Sequence, residues 1–401
     1  MSTPSYPQLH LKKATERALL NGHPWVFSGA VAHSPQVEAG SVVDVVDHRG
    51  RFIMRGSFNP HAAICVRRLT RNRQTGIDRA FFQAALGTAF RLRARSGLAA
   101  STNAMRLVHG ESDGLPGLVA DDYAGHVVVQ FHSAGMETFR ADILDAIWDL
   151  RRPLGIFERS DVGTRRAERL LDRPTGLLRG AAPPELVQVL EHGTLLAVDL
   201  YHGQKTGLFL DQRQNRLLVQ EQAAGASVLN CFAYTSAFSA HALRGGARRT
   251  LDVEITAPAA RAAQMNLSAN QGPGAHWDIV RANVFQFLDD LALQGPRFDL
   301  VILDPPSLLR KREQLSQAMG VYTKLNRNAL RLVRSGGLLV TASCSSRVSH
   351  EDFFQVVRRA AAGAGVQLRI QSMHLQPADH PVDPAFPEGR YLKCINARVV
   401  R

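Results

Sequence analysis

The sequence predicts a multidomain α/β protein whose C-terminal half builds a mostly parallel sheet with helices on both faces. Three observations carry that prediction. At 401 residues the chain is longer than one ordinary core fills. A pattern of short strands and turns occupies the first 75 residues. From about residue 225, apolar strands alternate with helical stretches, as parallel strands joined by crossover helices require.

In order along the chain, "SVVDVVDHRGRFIMRGSFNP" reads as two strands around a turn at Asp47–Gly50, inside a β-rich domain over 1–75. Its tail "RRLTRNRQ" either contacts phosphates or forms a solvated linker. Over 76–190, "FFQAALGTAFRLRARSG" and "METFRADILDAIWDLRR" have helical apolar spacing, and "LPGLVADDYAGHVVVQF" reads as a hairpin turning at Ala124-Gly125. This is an α+β middle domain, with "LRGAAPPEL" marking its boundary. Within 191–401, "ASVLN", "RTLDVE", "WDIVRAN", "FDLVIL" and "GGLLVTAS" are the strands. Thr256 is the expected N-cap of the helix after the second of these, with Pro258 in its first turn.

The apolar fraction of 45% and charged fraction of 21% are those of a soluble globular protein. No apolar run reaches the roughly 20 residues that span a bilayer, and the start lacks the apolar core of a secretion signal, so a cytoplasmic protein is expected. The four cysteines, Cys65, Cys231, Cys344 and Cys394, form no CxxC pair, which argues against a zinc site and a disulfide framework; no metal is expected. The net charge of +13 is uneven: 10 Lys/Arg face 4 Asp/Glu in residues 1–75, 14 face 14 in 76–190, and 24 face 17 in 191–401. Basic ends around a neutral middle suit a polyanion gripped by two domains. An arginine-rich composition is the plainer alternative, since only six of the 48 basic residues are lysine.

In an open parallel sheet, ligands bind at the carboxyl ends of the strands. Those ends hold Asn230 to Tyr234, Asp252 and Glu254, Asn283, Asp304 in "DPPS", and Cys344 in "SCSS". Glu254 ends the second strand, where an acid accepts two hydrogen bonds from a ribose diol; Asp252 replaces it if the register differs. The two prolines of "LDPP" stiffen the backbone and fix the orientation of Asp304. Cys344 is either a working thiol or a small buried filler.

The runs "GQKTGLFLDQRQNR" (203–216), "VLNCFAYTSAFSAHAL", "FDLVILDPPSLLRK", "SCSS" and "DHPVDPAFPEGRYLK" (379–393), in this order, resemble the bacterial PUA-containing ribosomal RNA methyltransferases. So do the opening "LKKATERALLNGHPWVFSGAV" and the middle "VHGESDGLPGLVADDY". Those enzymes use S-adenosylmethionine to make 5-methylcytosine in large-subunit (23S) rRNA. The resemblance implies a PUA-like RNA-binding barrel in 1–75 and a Rossmann-like class I methyltransferase domain with a seven-stranded sheet in 191–401. It implies that Asn230, Phe232, Tyr234, Glu254, Asn283, Asp304 and Asp211 surround the cofactor. Lys205, Gln212, Arg213, Pro305, Lys12, Lys13 and His23 would meet RNA, although ordinary salt bridges explain several of them equally well. Trp25, beside His23, reads as core. Two departures stand out: Ser236-Ala237 replaces the family's usual Gly-Gly, and Asn283 stands where an acid is common.

The chemistry that the resemblance implies needs particular groups. Carbon 5 of cytosine is a weak nucleophile, so a thiolate first adds to carbon 6. That requires an accessible cysteine of lowered pKa, expected at Cys344, and an acid on ring nitrogen 3, expected at Asp304. Cys231 reads as packing, and Cys65 and Cys394 as non-catalytic. A guanine-nitrogen methyltransferase and a non-catalytic RNA-binding ribosome-assembly factor are the alternatives. The partner is ribosomal RNA or the large-subunit particle. A homodimer is compatible with the sequence, but no heptad identifies an interface.

Overall fold

The computed structural model describes residues 5–256, 259–308 and 314–401. They form two compact units. The first comprises Met1–Val187 with Gln204–Leu208 and Ala378–Gly389; the second comprises Gln188–Gly203, Phe209–Pro377 and Arg390–Arg401.

The first unit contains two sheets. One has six strands in the order Trp25–Phe27, Ile64–Thr70, Phe52–Phe58, Val42–Val46, Gln8–Leu11, Val31–His33. Leu9, Leu11, Val43, Val45, Met54 and Val66 fill its core. The expected turn at Asp47–Gly50 is present: Asp47 Oδ1 accepts from the amides of Arg49 (2.8 Å) and Arg51 (2.9 Å). The second sheet has five strands, with Ala104–His109 at one edge and Gly176–Gly180 at the other. The hairpin read at Ala124-Gly125 is also present. Tyr123 pairs with His126, and φ values of 51° and 93° at Ala124 and Gly125 supply the two left-handed residues of a tight hairpin turn. Segment 378–389 packs within this unit. Asp379 Oδ2 accepts from the amide of Arg106 (3.0 Å), and Phe386 lies edge-on to Trp25 at 4.7 Å. Trp25, half-buried, donates its indole N–H to Glu111 (2.8 Å).

The second unit is built on a seven-stranded sheet. Its strands are β1 (Ser227–Cys231), β2 (Arg249–Glu254), β3 (His276–Arg281), β4 (Phe298–Leu303), β5 (Val333–Ser343), β6 (Gln367–His374) and β7 (Lys393–Val400). Their order is β3-β2-β1-β4-β5-β7-β6, all parallel except β7, which runs antiparallel to both neighbours. The order reverses between β1 and β4, and that crevice is where such sheets take ligands. Helices α1 (Arg213–Gln222), α2 (Ala237–Arg244), α3 (Ala260–Asn270), α4 (Val284–Gln294), α5 (Leu315–Leu332) and α6 (His350–Ala364) complete the fold. Alternate β4 residues serve opposite faces: Leu300 and Ile302 pack with Val219 and Phe238, while Val301 and Leu303 pack with Leu325 and Ala329. α3 has Ala259 rather than Thr256 at its cap, because the Thr256 hydroxyl instead donates to Glu254 (2.8 Å); Pro258 lies outside the described residues. Among the described residues, no helix is long and apolar enough to cross a membrane.

A hairpin, Val187–Glu191 with Thr194–Val198, precedes the sheet and brings Glu191 into the unit's interior. Its carboxylate accepts from Arg213 Nε (3.1 Å) and from Arg216 Nε (2.7 Å) and Nη2 (3.0 Å), with His241 Nε2 at 3.2 Å. All four side chains are fully buried. The two guanidiniums and His241 hold Glu191 well below the usual carboxylate range despite its burial.

Glu191→Gln leaves two buried guanidiniums without a counter-charge, and should lower the unfolding free energy by about 3–5 kcal/mol in urea titration. Because this carboxyl is depressed in the folded protein, its contribution is complete above the ordinary carboxylate range. It is lost as pH falls below that range, so the wild-type advantage over the variant should shrink in acid. Gly245 follows α2, and a Cβ there would fall on the Gln220 carbonyl oxygen of α1. Gly245→Ala should therefore destabilise by about 1–3 kcal/mol, read as a lower thermal midpoint.

Candidate active site

The loop after β1 is strained. Phe232, Tyr234 and Ser236 have φ of 62°, 49° and 58°, a left-handed conformation that costs non-glycine residues roughly 1–2 kcal/mol each. Ser236 thus occupies a position where glycine would be relaxed. Three features hold the loop. Phe232 and Ala233 donate their amides to the Val253 carbonyl (3.1 and 3.2 Å), and Tyr234 donates its own to Glu254 Oε2 (2.8 Å). Beneath it, Asn230 Nδ2 donates to Ser239 Oγ (3.1 Å), and that hydroxyl donates to Asp252. Burial pushes Asp252 up to about 7, against the Ser236 and Ser239 hydroxyls and the Asn230 amide. Asn230 was expected to touch a ligand; the fold buries it as part of the loop's foundation. Phe232 lies edge-on to Phe285 at 5.8 Å and Tyr234 to Phe209 at 5.5 Å.

At the end of β2, Glu254 Oε1 accepts from the amides of Ile255 and Thr256 (both 2.9 Å) as well as from the Thr256 hydroxyl. Only Oε2, with its single donor, has a lone pair to offer. The two-oxygen grip on a diol expected from the sequence therefore reduces to one. Asn283 is exposed and caps α4, its Oδ1 accepting from the amide of Phe285 (2.9 Å).

The titratable groups gather at the ends of β4, β5 and β7. β4 and β5 pair in register at Leu303 and Thr341, so Asp304 and Cys344 leave adjacent strand ends. Asp304 Oδ2 accepts from Gln212 Nε2 (2.8 Å). Gln212 Oε1 accepts from Asn215 Nδ2 (2.6 Å), and Asn215 Oδ1 in turn accepts from His374 Nδ1 (3.0 Å). Burial, then the charge of Asp211, pushes Asp304 up to about 7. Asp211 is held by Tyr391, whose hydroxyl donates to Oδ2 (2.7 Å).

Cys344 is partly exposed, whereas Cys65, Cys231 and Cys394 are buried. Its thiol is not lowered as the sequence led us to expect. Burial, then the Asp304 and Asp211 carboxylates, pushes it up to about 12, with Lys393 acting against them. Lys393 pairs with Ser343 across β5 and β7 and is almost fully buried. Its ammonium donates to the Ser345 carbonyl and to the Tyr391 carbonyl (2.7 Å). Burial lowers it to about 8. Beside it, the Ser343 hydroxyl donates to Tyr322 Oη (3.1 Å) on α5.

Three of the residues expected to meet RNA are buried. Arg213 is fully buried on Glu191, Gln212 is buried against Asp304, and Pro305 is buried while Pro306 is exposed. Lys12, Lys13, His23 and Lys205 belong to the first unit. There Lys12 and Lys13 are exposed, Lys12 donating to the Gly29 carbonyl (2.9 Å), and Lys205 is exposed. His23 is half-buried, 3.4 Å from Glu388. Lys393, Tyr391, Asn215 and His374 were not singled out from the sequence. The one available signal was a lysine opening the buried strand pattern "KCINARVV".

An acceptor at Glu254 Oε2 and an amide at Asn283 stand at the strand ends where such sheets take a nucleoside-bearing ligand, and a partly exposed thiol stands at Cys344. Comparison with known proteins agrees. A model of the S-adenosylmethionine-dependent methyltransferase family matches residues 171–390, and one of the PUA-like domain matches residues 9–71. The chain is 38% identical over 401 residues to ribosomal RNA large subunit methyltransferase I of Klebsiella pneumoniae, covering 100% of both chains. It is also 38% identical to the same-named protein of Escherichia coli O157:H7, covering 98% of this chain and 99% of that one. An S-adenosylmethionine-dependent methyltransferase from Streptococcus mutans superposes with a TM-score of 0.83 at 23% identity, covering 98% of this chain and 100% of that one. A methyltransferase complexed with SAH gives 0.84 at 23% identity, with the same coverage. The chain belongs to the S-adenosylmethionine-dependent methyltransferase family and carries a PUA-like domain ahead of the catalytic one.

Proposed function

We propose that the protein methylates carbon 5 of a cytosine in large-subunit ribosomal RNA through a covalent bond between Cys344 and the base. The observation that carries this reading is the pairing of Cys344 with Asp304. A partly exposed thiol stands at the end of β5, and a carboxyl pushed up to about 7 stands at the end of β4. The names of the full-length relatives supply the RNA class.

Bound S-adenosylmethionine supplies an electrophilic methyl group on a sulfonium; Glu254, Asn283 and the loop 232–236 are the groups that would hold it. The remaining steps belong to the chain and the base. Cys344, as thiolate, donates an electron pair to carbon 6, and the ring electrons move toward nitrogen 3, where protonated Asp304 donates a hydrogen bond. Carbon 5 becomes electron-rich and accepts the methyl group. Loss of the carbon-5 proton to a base restores the ring double bond and expels the sulfur as thiolate. Ionising Cys344 is the hard step, because burial and two carboxylates oppose it. A proton on Asp304 removes one of those charges, and the Lys393 ammonium acts in the same direction. A base within a folded RNA would also have to leave its stack.

One observation favours a second reading. A guanine ring nitrogen attacks through its own lone pair and needs no thiol, and Cys344 is held as a thiol in this structure. Labelled cofactor and undermodified ribosomal RNA, digested after reaction, separate the two: 5-methylcytidine is expected, and methylguanosine would replace this reading with the second.

Cys344→Ala should lower turnover by at least about 10³-fold while leaving cofactor affinity nearly unchanged. RNA carrying 5-fluorocytosine at the target should form a denaturation-resistant adduct with wild-type protein and none with the variant. In the cofactor-free protein, alkylation of Cys344 should be slow at neutral pH. It should rise about tenfold per pH unit into the alkaline range without a plateau, since only the thiolate reacts.

A further inference from the structure

The candidate site contains an acceptor that no donor among the described residues satisfies. Asp211 Oδ2 takes the Tyr391 hydroxyl (2.7 Å), but Asp211 Oδ1 is shielded from solvent and finds no hydrogen-bond donor among the described residues. A buried acceptor left unpaired carries a desolvation cost, so such an atom calls for a donor from a ligand. Its neighbours indicate which ligand. Asp211 and Gln212 are consecutive, and Gln212 donates to Asp304, which brings the Asp211 carboxylate near enough for its charge to raise Asp304. The charge of Asp211 accordingly opposes ionisation of both Asp304 and Cys344.

The second carboxyl has a defined polarity. Asn215 donates to Gln212 Oε1, which turns the Gln212 amide nitrogen toward Asp304 and makes Asp304 Oδ2 an acceptor. Oδ1 is left to carry the proton. The site therefore offers a donor, Asp304 Oδ1–H, next to an acceptor, Asp211 Oδ1. Cytosine presents the complement on one edge: nitrogen 3 accepts and the exocyclic 4-amine donates. Uracil presents the reverse, a donor at nitrogen 3 and an acceptor at oxygen 4.

We infer that Asp211 receives the exocyclic amine of the target cytosine and, with Asp304, excludes uracil from the site. This rests on the cytosine reading above and adds to it the group that reads the base. Arg216 is the cation whose charge acts on Asp304 against Asp211, and Tyr322, Cys344 and Cys394 are the other titratable groups coupled to it.

The test uses the full-length protein. Wild-type enzyme first locates its cytosine in undermodified ribosomal RNA; matched RNAs then carry cytosine or uracil at that position. Asp211→Asn replaces the carboxylate with a neutral amide and removes a charge that, after burial, raises Asp304. It should lower kcat/KM on cytosine RNA by about 10²-fold or more and reduce the cytosine-over-uracil ratio by a similar factor. Cofactor affinity should stay within about twofold of wild type. An unchanged ratio overturns the inference, as does a loss of activity matched by an equal loss of cofactor affinity, which would assign Asp211 to the cofactor. Tyr391→Phe keeps the charge but releases Oδ2. It should cut the ratio about tenfold, and if Asp211→Asn does not fold, an unchanged ratio in Tyr391→Phe overturns the inference in its place. Wild-type protein that makes no 5-methylcytidine overturns the cytosine reading itself, a different result from wild-type product with an unaltered ratio in the variants.

Discussion

The chemistry of the second unit hangs on one buried carboxylate. Glu191 pairs with Arg213 and Arg216, two guanidiniums on the first turn of α1 that no apolar interior would admit without a counter-charge. Asp211 and Gln212 come immediately before that turn. Once the arginines are pinned, these two residues can only project from the start of α1, where Gln212 meets Asp304. An ion cluster outside the group of strand-end residues thereby helps set the positions of side chains at the site. Arg216 also donates to the Phe209 carbonyl (2.7 Å), tying the turn before Asp211 to the same anchor.

The electrostatics that follow are those of a site at rest. Asp304 is raised to about 7 and Cys344 to about 12, while Lys393 is lowered to about 8. Each group is biased toward its neutral form, as burial dictates. A sulfur kept as thiol resists oxidation and stray alkylation, because reactivity follows the thiolate fraction. Cys231 and Cys394, buried and also raised, are quieter still.

Much of this was legible in the amino-acid order. Strand–helix alternation gave the mostly parallel sheet, and Ala124-Gly125 marked a hairpin of the first unit because a two-residue turn demands left-handed backbone. The strand-end rule pointed to Asp304 and Cys344. What stayed hidden were roles set by partners distant in sequence. Arg213 and Gln212 looked like surface groups because Glu191 and Asp304 lie 22 and 92 residues away, and only folding shows that each is buried against its mate. Thr256 looked like a cap, but the nearer Glu254 carboxylate captured its hydroxyl. The thiol's ionisation could not be read at all, since it depends on how many carboxylates converge on one sulfur.

Strand β7 follows β6 along the chain, yet it lies in the interior of the sheet, between β5 and β6. A chain folded only as far as β6 therefore leaves that edge of β5 open. Tyr391 and Lys393 arrive with that strand, so the hydroxyl that holds Asp211 and the ammonium beside the Cys344 loop join the site after Asp304 and Cys344 are in place. A chain cut before Tyr391 would keep Asp304 and Cys344 but lose both the hydroxyl on Asp211 and the ammonium beside the thiol.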